Sequence, residues 1–249
     1  MPSQAVRRIS IRWLPEPAYE DTDTTALNVG GYFIDLRSMT MLWYVDRAAA
    51  TFRWTHIVDS LNLTVPDDAH FEKLPNGDDL EIGTTPCPHK DGVLTDYEEV
   101  WRDITTRDAD SRPSWILQSK DGSTFIGKVG LIYLAVQKAS GVEFAARREG
   151  YESEYRIWKC AFESGNQAKV LEASTVVKLA DGEAQKSVEG DVVSVDGVDF
   201  VFRGVSMDAS RFRIESKPCF SFEQVRHSPK REDFIILNKM ISQRLSHSY

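Results

Sequence analysis

A short stretch near the start of the chain, RISIRW (residues 8–13), indicates how the protein folds. Apolar and polar residues alternate along it, which places Ile9, Ile11 and Trp13 on one face of an extended strand. Similar segments recur at short spacing through residues 5–140, about eight in all, with turn residues between them. Many short strands at this spacing are typical of a β-barrel or a β-sandwich.

Two further features of this first set of strands concern its turns. A glycine pair, Gly30-Gly31, lies inside the strand-like segment 27–36 and predicts a sharp bend or bulge, with which barrels turn corners. Residues 120–122, Lys-Asp-Gly, predict a hairpin turn between strands at 114–119 and 123–137. The glycine pair favours the barrel.

A second, weaker set of strand signals follows a boundary near Ser140-Gly141. We expect two domains, residues 1–140 and 141–249, in a mostly β protein. Residues 168–179 fit either a helix or a strand, because short apolar runs do not separate the two. Residues 232–245 carry apolar side chains at helical spacing, which predicts a C-terminal helix that caps or plugs a barrel end. The strand signals of this set lie at 142–148, 155–163, 188–195, 198–205, 211–214 and 219–225.

Composition excludes several classes of protein. The 249 residues are 41% hydrophobic and carry a formal net charge of −8, whereas nucleic-acid and anionic-membrane partners need clustered positive charge. Three widely spaced cysteines argue against a disulfide framework and fit a reducing compartment. The chain shows no signal peptide and no apolar run long enough to span a bilayer, so we expect a cytoplasmic protein.

Familiar catalytic motifs are missing from the sequence. There is no GxGxxG, no phosphate-binding loop and no GxSxG elbow, and the five histidines lack HxH or HExxH spacing. We therefore expect no cofactor and no metal. An enzyme of this sequence works with scattered acids, bases and a shaped pocket.

The strand YEEVWRDI (residues 97–104) carries the strongest candidate site. Its alternation places Tyr97, Glu99 and Trp101 on one face, and a barrel strand sends one of its faces inward. In a dry pocket Glu99 has a raised pKa and acts as a general acid. The alternative is that Tyr97 and Trp101 are core residues and Glu99 is paired with an arginine.

Further candidates lie on other strands of the first set. His56 shares a face with Trp54, and a histidine among aromatic rings is a proton donor or acceptor near neutral pH, although such a residue also fits an ordinary core. Trp13 and Trp115 bring further large rings that either fill a core or line a pocket for a bulky apolar ligand. Lys128, within an apolar strand, points into the cavity or reaches out to solvent.

Five motifs resemble a fungal family typified by the yeast Hri protein. The resemblance is good over residues 9–130, and it implies two lipocalin-like β-barrels with a C-terminal helix. Function varies within such folds, so the fold alone assigns none. The motifs are IRWLPEPAYEDT (11–22), GYFIDLR (31–37), WTHIVDS (54–60), LPNGDDLEIG (74–83) and YEEVWRD (97–103).

Some members of that family resemble pericyclases of secondary-metabolite biosynthesis. These hetero-Diels–Alderases join a tropolone o-quinone methide to a humulene-type terpene, so a polyketide tropolone and a terpene are the implied substrates. The segment 38–52 departs from the typical family sequence, which suits a repurposed pocket. A non-catalytic ligand carrier or interaction protein is the alternative. The expected site has His56, Tyr97 and Glu99 as catalytic groups, with Trp13, Tyr32, Trp54, Trp101, Trp115 and Lys128 binding substrate.

Overall fold

The computed structural model describes residues 3–36, 38–46, 50–60, 66–106, 112–138, 143–166 and 170–206. These residues form fifteen β-strands, one α-helix and a short 3₁₀ helix, which confirms the mostly β fold. The C-terminal helix expected at 232–245 and the strands expected at 211–214 and 219–225 lie outside them. No helix among the described residues is long and apolar enough to cross a membrane.

The first eight strands close into an antiparallel barrel in which each strand pairs with its neighbours in the chain. The last strand pairs back onto the first, with Trp13 opposite Tyr97, and this pairing closes the circle. The strands are β1 (Gln4–Trp13), β2 (Thr25–Val29), β3 (Tyr32–Asp35), β4 (Ser38–Asp46), β5 (Thr51–Asp59), β6 (Asp67–Lys73), β7 (Asp79–Cys87) and β8 (Val93–Asp103), with the 3₁₀ helix at Pro88–Lys90.

A β-bulge in β1 changes which residues face the barrel interior. The pairing with β8 shifts between Arg8 and Ser10, so Ile9 is the extra residue and is 36% exposed. Because one extra residue reverses the side-chain alternation, Arg8 joins Ile11 and Trp13 among the buried residues. The prediction that Ile9, Ile11 and Trp13 share a face was therefore wrong at Ile9.

The remaining strands form a second, seven-stranded antiparallel sheet in the order β13-β12-β11-β10-β9-β15-β14. It is an open, curled sheet whose apolar core includes the helix α1 (Ala173–Ala184). The alternatives left for residues 168–179 are thus settled as a helix from Ala173. The strands are β9 (Ser114–Ser119), β10 (Thr124–Val129), β11 (Ile132–Gln137), β12 (Ala145–Glu152), β13 (Ile157–Ser164), β14 (Val192–Val195) and β15 (Val198–Ser206).

The change from one sheet to the other falls between Asp103 and Ser114, well before the boundary expected near residue 140. The hairpin β9–β10, predicted from the Lys-Asp-Gly turn, is present, but it pairs with β15 rather than with a barrel strand. All the described residues belong to one compact unit. The division into two domains at residue 140 stays a prediction.

The barrel and the second sheet pack directly against each other. Leu27, Val29 and Ile34, on the outside of the barrel, share an apolar cluster with Ile116 and Phe125 of the sheet. The outer faces of strands β2 and β3 are therefore covered by the second sheet. This contact leaves the barrel interior free of the second sheet.

Glycines allow the closest approach between the two parts. A Cβ atom on Gly204 of β15 would lie 2.3 Å from the carbonyl oxygen of Val29. Gly30 and Gly31 form the tight turn between β2 and β3, with φ of 63° and 89°, and Gly30 faces Gly204 across the contact. The glycine pair therefore makes a hairpin turn rather than the expected bend within one strand.

Candidate functional site

The barrel contains a cavity of about 390 Å³ that is partly open to solvent. Its apolar wall includes four aromatic rings, Phe33, Phe52, Phe71 and Trp54, and the indole of Trp101 completes it. The other side chains that line it are Gln4, Val6, Asn28, Ala50, Glu72, Lys73, Asp79 and Glu81. An apolar cavity of this size with a few polar groups has the character of a small-molecule site.

Glu81 of β7 is the central polar group of this cavity. Its carboxyl accepts hydrogen bonds from the hydroxyl of Tyr97 at 2.7 Å and from the indole Nε1 of Trp101 at 2.9 Å. Burial, together with the negative charge of Glu99 opposite it on β8, raises the pKa of Glu81 to about 8. At neutral pH this carboxyl is therefore mainly protonated.

The hydrogen bonds also locate the proton on that carboxyl. An indole N–H donates and cannot accept, so Oε2 of Glu81, which faces Trp101, must be an acceptor. The proton of the neutral acid therefore lies on Oε1 and is donated to the Tyr97 hydroxyl oxygen, whereas the hydroxyl donates to Oε1 when Glu81 is ionised. Glu81 and Tyr97 together form a pair that can release a proton or donate a hydrogen bond inside an apolar cavity.

Gly83 positions Tyr97 for this contact. The two residues are paired across β7 and β8, and a Cβ atom on Gly83 would lie 2.7 Å from the Tyr97 hydroxyl oxygen and 2.8 Å from its ring. The ring of Tyr97 therefore lies over the bare backbone of Gly83, and its hydroxyl reaches the carboxyl two residues away on the same face of β7. Burial and the neighbouring carboxylates Glu81 and Glu99 raise the pKa of Tyr97.

Glu99, the expected general acid, is engaged in an ion pair instead. Its Oε1 lies 2.7 Å from Nη1 of Arg8, and both side chains are nearly inaccessible. The arrangement matches the alternative in which this carboxylate is paired with an arginine. The β-bulge in β1 turns Arg8 inward, and for this reason the alternation alone did not place a cation here.

Arg8 also fixes the loop that follows β1. Its Nε donates to Glu20 at 2.7 Å and its Nη2 to the hydroxyl of Thr22 at 2.8 Å. Burial works against the ionisation of Glu20, but the hydrogen bond and charge of Arg8 outweigh it and lower the pKa of Glu20 to about 2. The loop that follows β1 thus supplies a second carboxylate to Arg8.

His56 lies on the same strand as Trp54, away from Glu81. Its Nε2 is 2.9 Å from Asp67, whose other oxygen accepts a hydrogen bond from the hydroxyl of Thr85 at 2.8 Å. The side chain does not line the cavity. Its expected role in catalysis stays a prediction.

The expected substrate-binding residues are spread over three places. Trp54 and Trp101 line the cavity, while Trp13 packs beside Tyr97 in a buried cluster within the barrel, with ring centroids 5.8 Å apart. Tyr32 lies on the outside of the barrel, in the contact with the second sheet. It does not face the cavity because its neighbour Phe33 does.

Trp115 and Lys128 lie in the second sheet, so the expectation that they line the first cavity is corrected. The indole of Trp115 and the Nζ of Lys128 both donate to Asp181 of α1 at 2.8 Å. Lys128 donates also to the carbonyl of Pro113 at 2.8 Å. Burial lowers the pKa of Lys128, and the charge of Asp181 opposes that effect. These contacts hold the helix onto the sheet.

Glu81 is the candidate functional group that the sequence did not point to. The alternation through 79–83 was recognised as a strand, and it places Glu81 and Gly83 on one face. No aromatic residue stands beside Glu81 in its own strand, so nothing local marked it as buried. Its partners Tyr97 and Trp101 come from the next strand.

Metal binding has no support among the described side chains. No group of three or more histidine, cysteine, aspartate or glutamate residues in the described part of the chain is arranged to hold an ion. The polar groups of the cavity are instead suited to hydrogen bonding and proton transfer.

Comparisons with known proteins agree with the resemblance noted from the motifs. The uncharacterized protein YLR301w from Saccharomyces cerevisiae, of known crystal structure, is similar with a TM-score of 0.63. The match covers 83% of this chain and 100% of that one at 12% sequence identity, so it shows a common fold only. No curated protein matches the chain. The family model described as Protein HRI1 matches residues 42–200, more than half of the sequence. The chain therefore belongs to the HRI1 protein family.

Proposed function

We propose that the barrel binds one small, largely apolar molecule bearing an oxygen atom, and that protonated Glu81 donates a hydrogen bond or a proton to that oxygen. The observation that carries the proposal is a carboxyl with a pKa of about 8 in the wall of an aromatic cavity. A neutral carboxylic acid in an apolar site is a strong hydrogen-bond donor and a general acid at neutral pH.

A cofactor-free hetero-Diels–Alderase is the catalytic form of this proposal. Glu81 protonates the leaving hydroxyl of a hydroxymethyl tropolone, water departs, and the ring hydroxyl gives up its proton to restore the acid. The resulting o-quinone methide adds across a double bond of a humulene-type terpene, forming one C–O and one C–C bond. Holding the two partners in reactive geometry contributes about 7–11 kcal/mol to such a step, and Trp54 and Trp101 supply flat walls for it.

Ligand carriage without chemistry is the second candidate. The observation that favours it is the size of the cavity, about 390 Å³, which lies near the lower end of the range of about 300–1,000 Å³ for ligand sites. One ligand of modest size fills such a volume, whereas a cycloaddition requires room for two partners.

Binding is tested first, with 6-methoxy-2-acetylnaphthalene, a neutral ketone without titratable groups. We expect its affinity to fall about 10-fold between pH 6.5 and 10, because ionised Glu81 cannot donate. Glu81→Gln keeps a donor at every pH, so its affinity stays level. Glu72→Gln, an exposed residue at the cavity lining, is the matched control and keeps the wild-type profile. Absence of binding, or the same pH profile in Glu81→Gln, overturns the proposal.

Catalysis is tested with a hydroxymethyl tropolone and humulene, with mass spectrometry of the products. If the protein is an enzyme, the wild type forms adducts and Glu81→Gln forms none, although that variant still binds ligand. Ligand binding without any adduct supports the carrier instead.

A further inference from the structure

We infer that the barrel cavity binds an organic cation, so that its ligand is an apolar molecule with an ammonium group held by Asp79 at the cavity rim. This inference rests on the proposed function, because it concerns the ligand of the same cavity and adds a charged contact to it. It names the class of ligand as apolar amines and quaternary ammonium ions rather than carboxylic acids.

Asp79 lies at the rim of the cavity, one step along the strands from Glu81. Across β6 and β7 the register pairs Lys73 with Asp79, and it pairs Phe71 with Glu81 two residues further along. All four side chains line the cavity. Lys73 is the last residue of β6, Asp79 is the first of β7, and the lysine side chain is 69% exposed. The ion pair is therefore at the rim, and the acid Glu81 lies about 7 Å further in.

A cation already occupies this position in the folded chain. The Nζ atom of Lys73 lies 2.7 Å from Oδ1 of Asp79, whose side chain is only 21% exposed. The carboxylate is thus part of the cavity wall, whereas the long lysine side chain reaches it from solvent. An ion pair with an exposed lysine contributes little to stability. A ligand ammonium can therefore replace Lys73 at Asp79 at little cost.

The aromatic rings of the cavity favour a cation as well. Trp101 is paired with Asp79 across β7 and β8. The rings of Phe52 and Trp54 contact Phe71, with centroids 5.3 Å and 5.9 Å from it. The face of an aromatic ring attracts organic cations, and proteins bind quaternary ammonium ions among such rings. An ammonium group at Asp79 therefore has a carboxylate and aromatic rings within the same cavity.

The charges of the lining point the same way. Three acids line the cavity, Glu72, Asp79 and Glu81, against one cation among the described residues, Lys73. Arg8 does not line the cavity and is already held by two carboxylates. A ligand carboxylate would thus meet acids, with a cation that is already paired. An ammonium ion meets groups of opposite charge.

Three naphthalenes that differ in one substituent test the inference by titration calorimetry at pH 7. They are 2-naphthyltrimethylammonium, 2-tert-butylnaphthalene and 2-naphthoate. The trimethylammonium and tert-butyl groups have nearly the same shape, so the first two compounds separate charge from contact area. We expect the ammonium ion to bind about 5-fold more tightly than the tert-butyl compound and about 10-fold more tightly than naphthoate.

Two variants of the ion pair should change ammonium binding in opposite directions. Asp79→Asn keeps the shape of the side chain and should weaken the ammonium ion about 5-fold, with the tert-butyl compound unchanged within about 2-fold. Lys73→Met removes the competing cation and should strengthen the ammonium ion about 3-fold. Because Lys73 is exposed, this variant tests the inference even if Asp79→Asn fails to fold. Asp199→Asn, from a 2.8 Å ion pair with Lys120 in the second sheet, is the matched control and should bind like the wild type.

The failures of the two proposals are distinguishable. The inference is overturned if the wild type binds the tert-butyl compound or naphthoate as tightly as the ammonium ion, or if neither Asp79→Asn nor Lys73→Met changes ammonium binding. The proposed function still stands in that case, provided that 6-methoxy-2-acetylnaphthalene binds with the pH dependence of Glu81. If that ketone does not bind but the ammonium ion binds through Asp79, the proposed function fails and the cation site stands. If no compound binds, both proposals fail.

Discussion

The inner face of the second sheet is covered by packed side chains, whereas the inner face of the barrel borders a cavity. In the sheet, α1 lies against the strands, and Val176, Ala180 and Phe200 belong to a core that is fully buried. In the barrel no helix enters the described interior, and the rings of Phe71 and Trp54 border a cavity. Both parts bury charged side chains: Glu81 borders the pocket of the barrel, and Glu149 of the sheet borders a smaller one of about 180 Å³. We therefore propose that ligand binds in the aromatic pocket of the barrel and that the packed sheet supports it.

Truncating one phenylalanine in each part tests whether the barrel interior is packed less tightly than the core of the sheet. We expect Phe200→Ala to lower the free energy of unfolding by about 3–5 kcal/mol, since its ring is fully packed and leaves a new cavity. Phe71→Ala should cost about 1–2 kcal/mol, because its ring already borders a void. Urea denaturation measures both. Equal losses would show that the barrel interior is packed as tightly as the sheet.

Removing the buried cation of the barrel tests its charge network. Arg8→Met leaves Glu99 buried without its partner, and we expect a loss of about 3–5 kcal/mol in unfolding free energy at pH 7. The control is Arg53→Met, which breaks an ion pair with Asp68 between two exposed side chains and should have little effect. If the two variants have the same stability, Arg8 does not hold the interior carboxylates.

The raised pKa of Glu81 makes the stability of the barrel depend on pH. The folded state binds one more proton than the unfolded state between about pH 4.5 and pH 8, so stability falls as pH rises through that window and then levels off. We expect Glu81→Gln to reduce this loss by about 4–5 kcal/mol, because each pH unit of the window contributes about 1.4 kcal/mol. Thermal and urea unfolding from pH 5 to 9 measure the slope. An unchanged slope in Glu81→Gln would contradict the assignment.

The buried lysine of the second sheet should matter less than Arg8. Lys128→Met removes the charge that faces Asp181, but Asp181 is partly exposed and keeps the hydrogen bond from Trp115. We expect a loss of about 1–2 kcal/mol in stability and no change in the affinity of the barrel for 6-methoxy-2-acetylnaphthalene. A large loss of ligand affinity would show that the sheet takes part in the site.

Much of this architecture follows from alternation with a period of two. That pattern located most of the strands, and it correctly placed Tyr97, Glu99 and Trp101 on one face of β8. It went wrong at Ile9, because a bulge inserts one residue without any change in composition. Local patterns report the face of a side chain only while the pairing stays regular.

Sheet membership and site partners are less accessible to sequence. The local patterns around Trp115 and Lys128 resemble those of the barrel strands. However, β9, which carries Trp115, pairs with β15, a strand far along the chain, and no local pattern encodes that pairing. Glu81 likewise gains its character from Tyr97 and Trp101 on the neighbouring strand. The surroundings of a buried acid are set by the fold, and for this reason the strand pattern led to Glu99 rather than to Glu81.

The central claim is that Glu81 is a protonated acid in the wall of a ligand cavity. Carbon-13 NMR of glutamate carboxyls over pH 3 to 10, with Glu81→Gln to assign the signal, tests it most directly. We expect one carboxyl that titrates near pH 8 in the wild type and is missing from the variant. Titration of the Glu81 signal near pH 4.5, the ordinary value for a glutamate, would show that Glu81 is ionised at neutral pH and would contradict its proposed role.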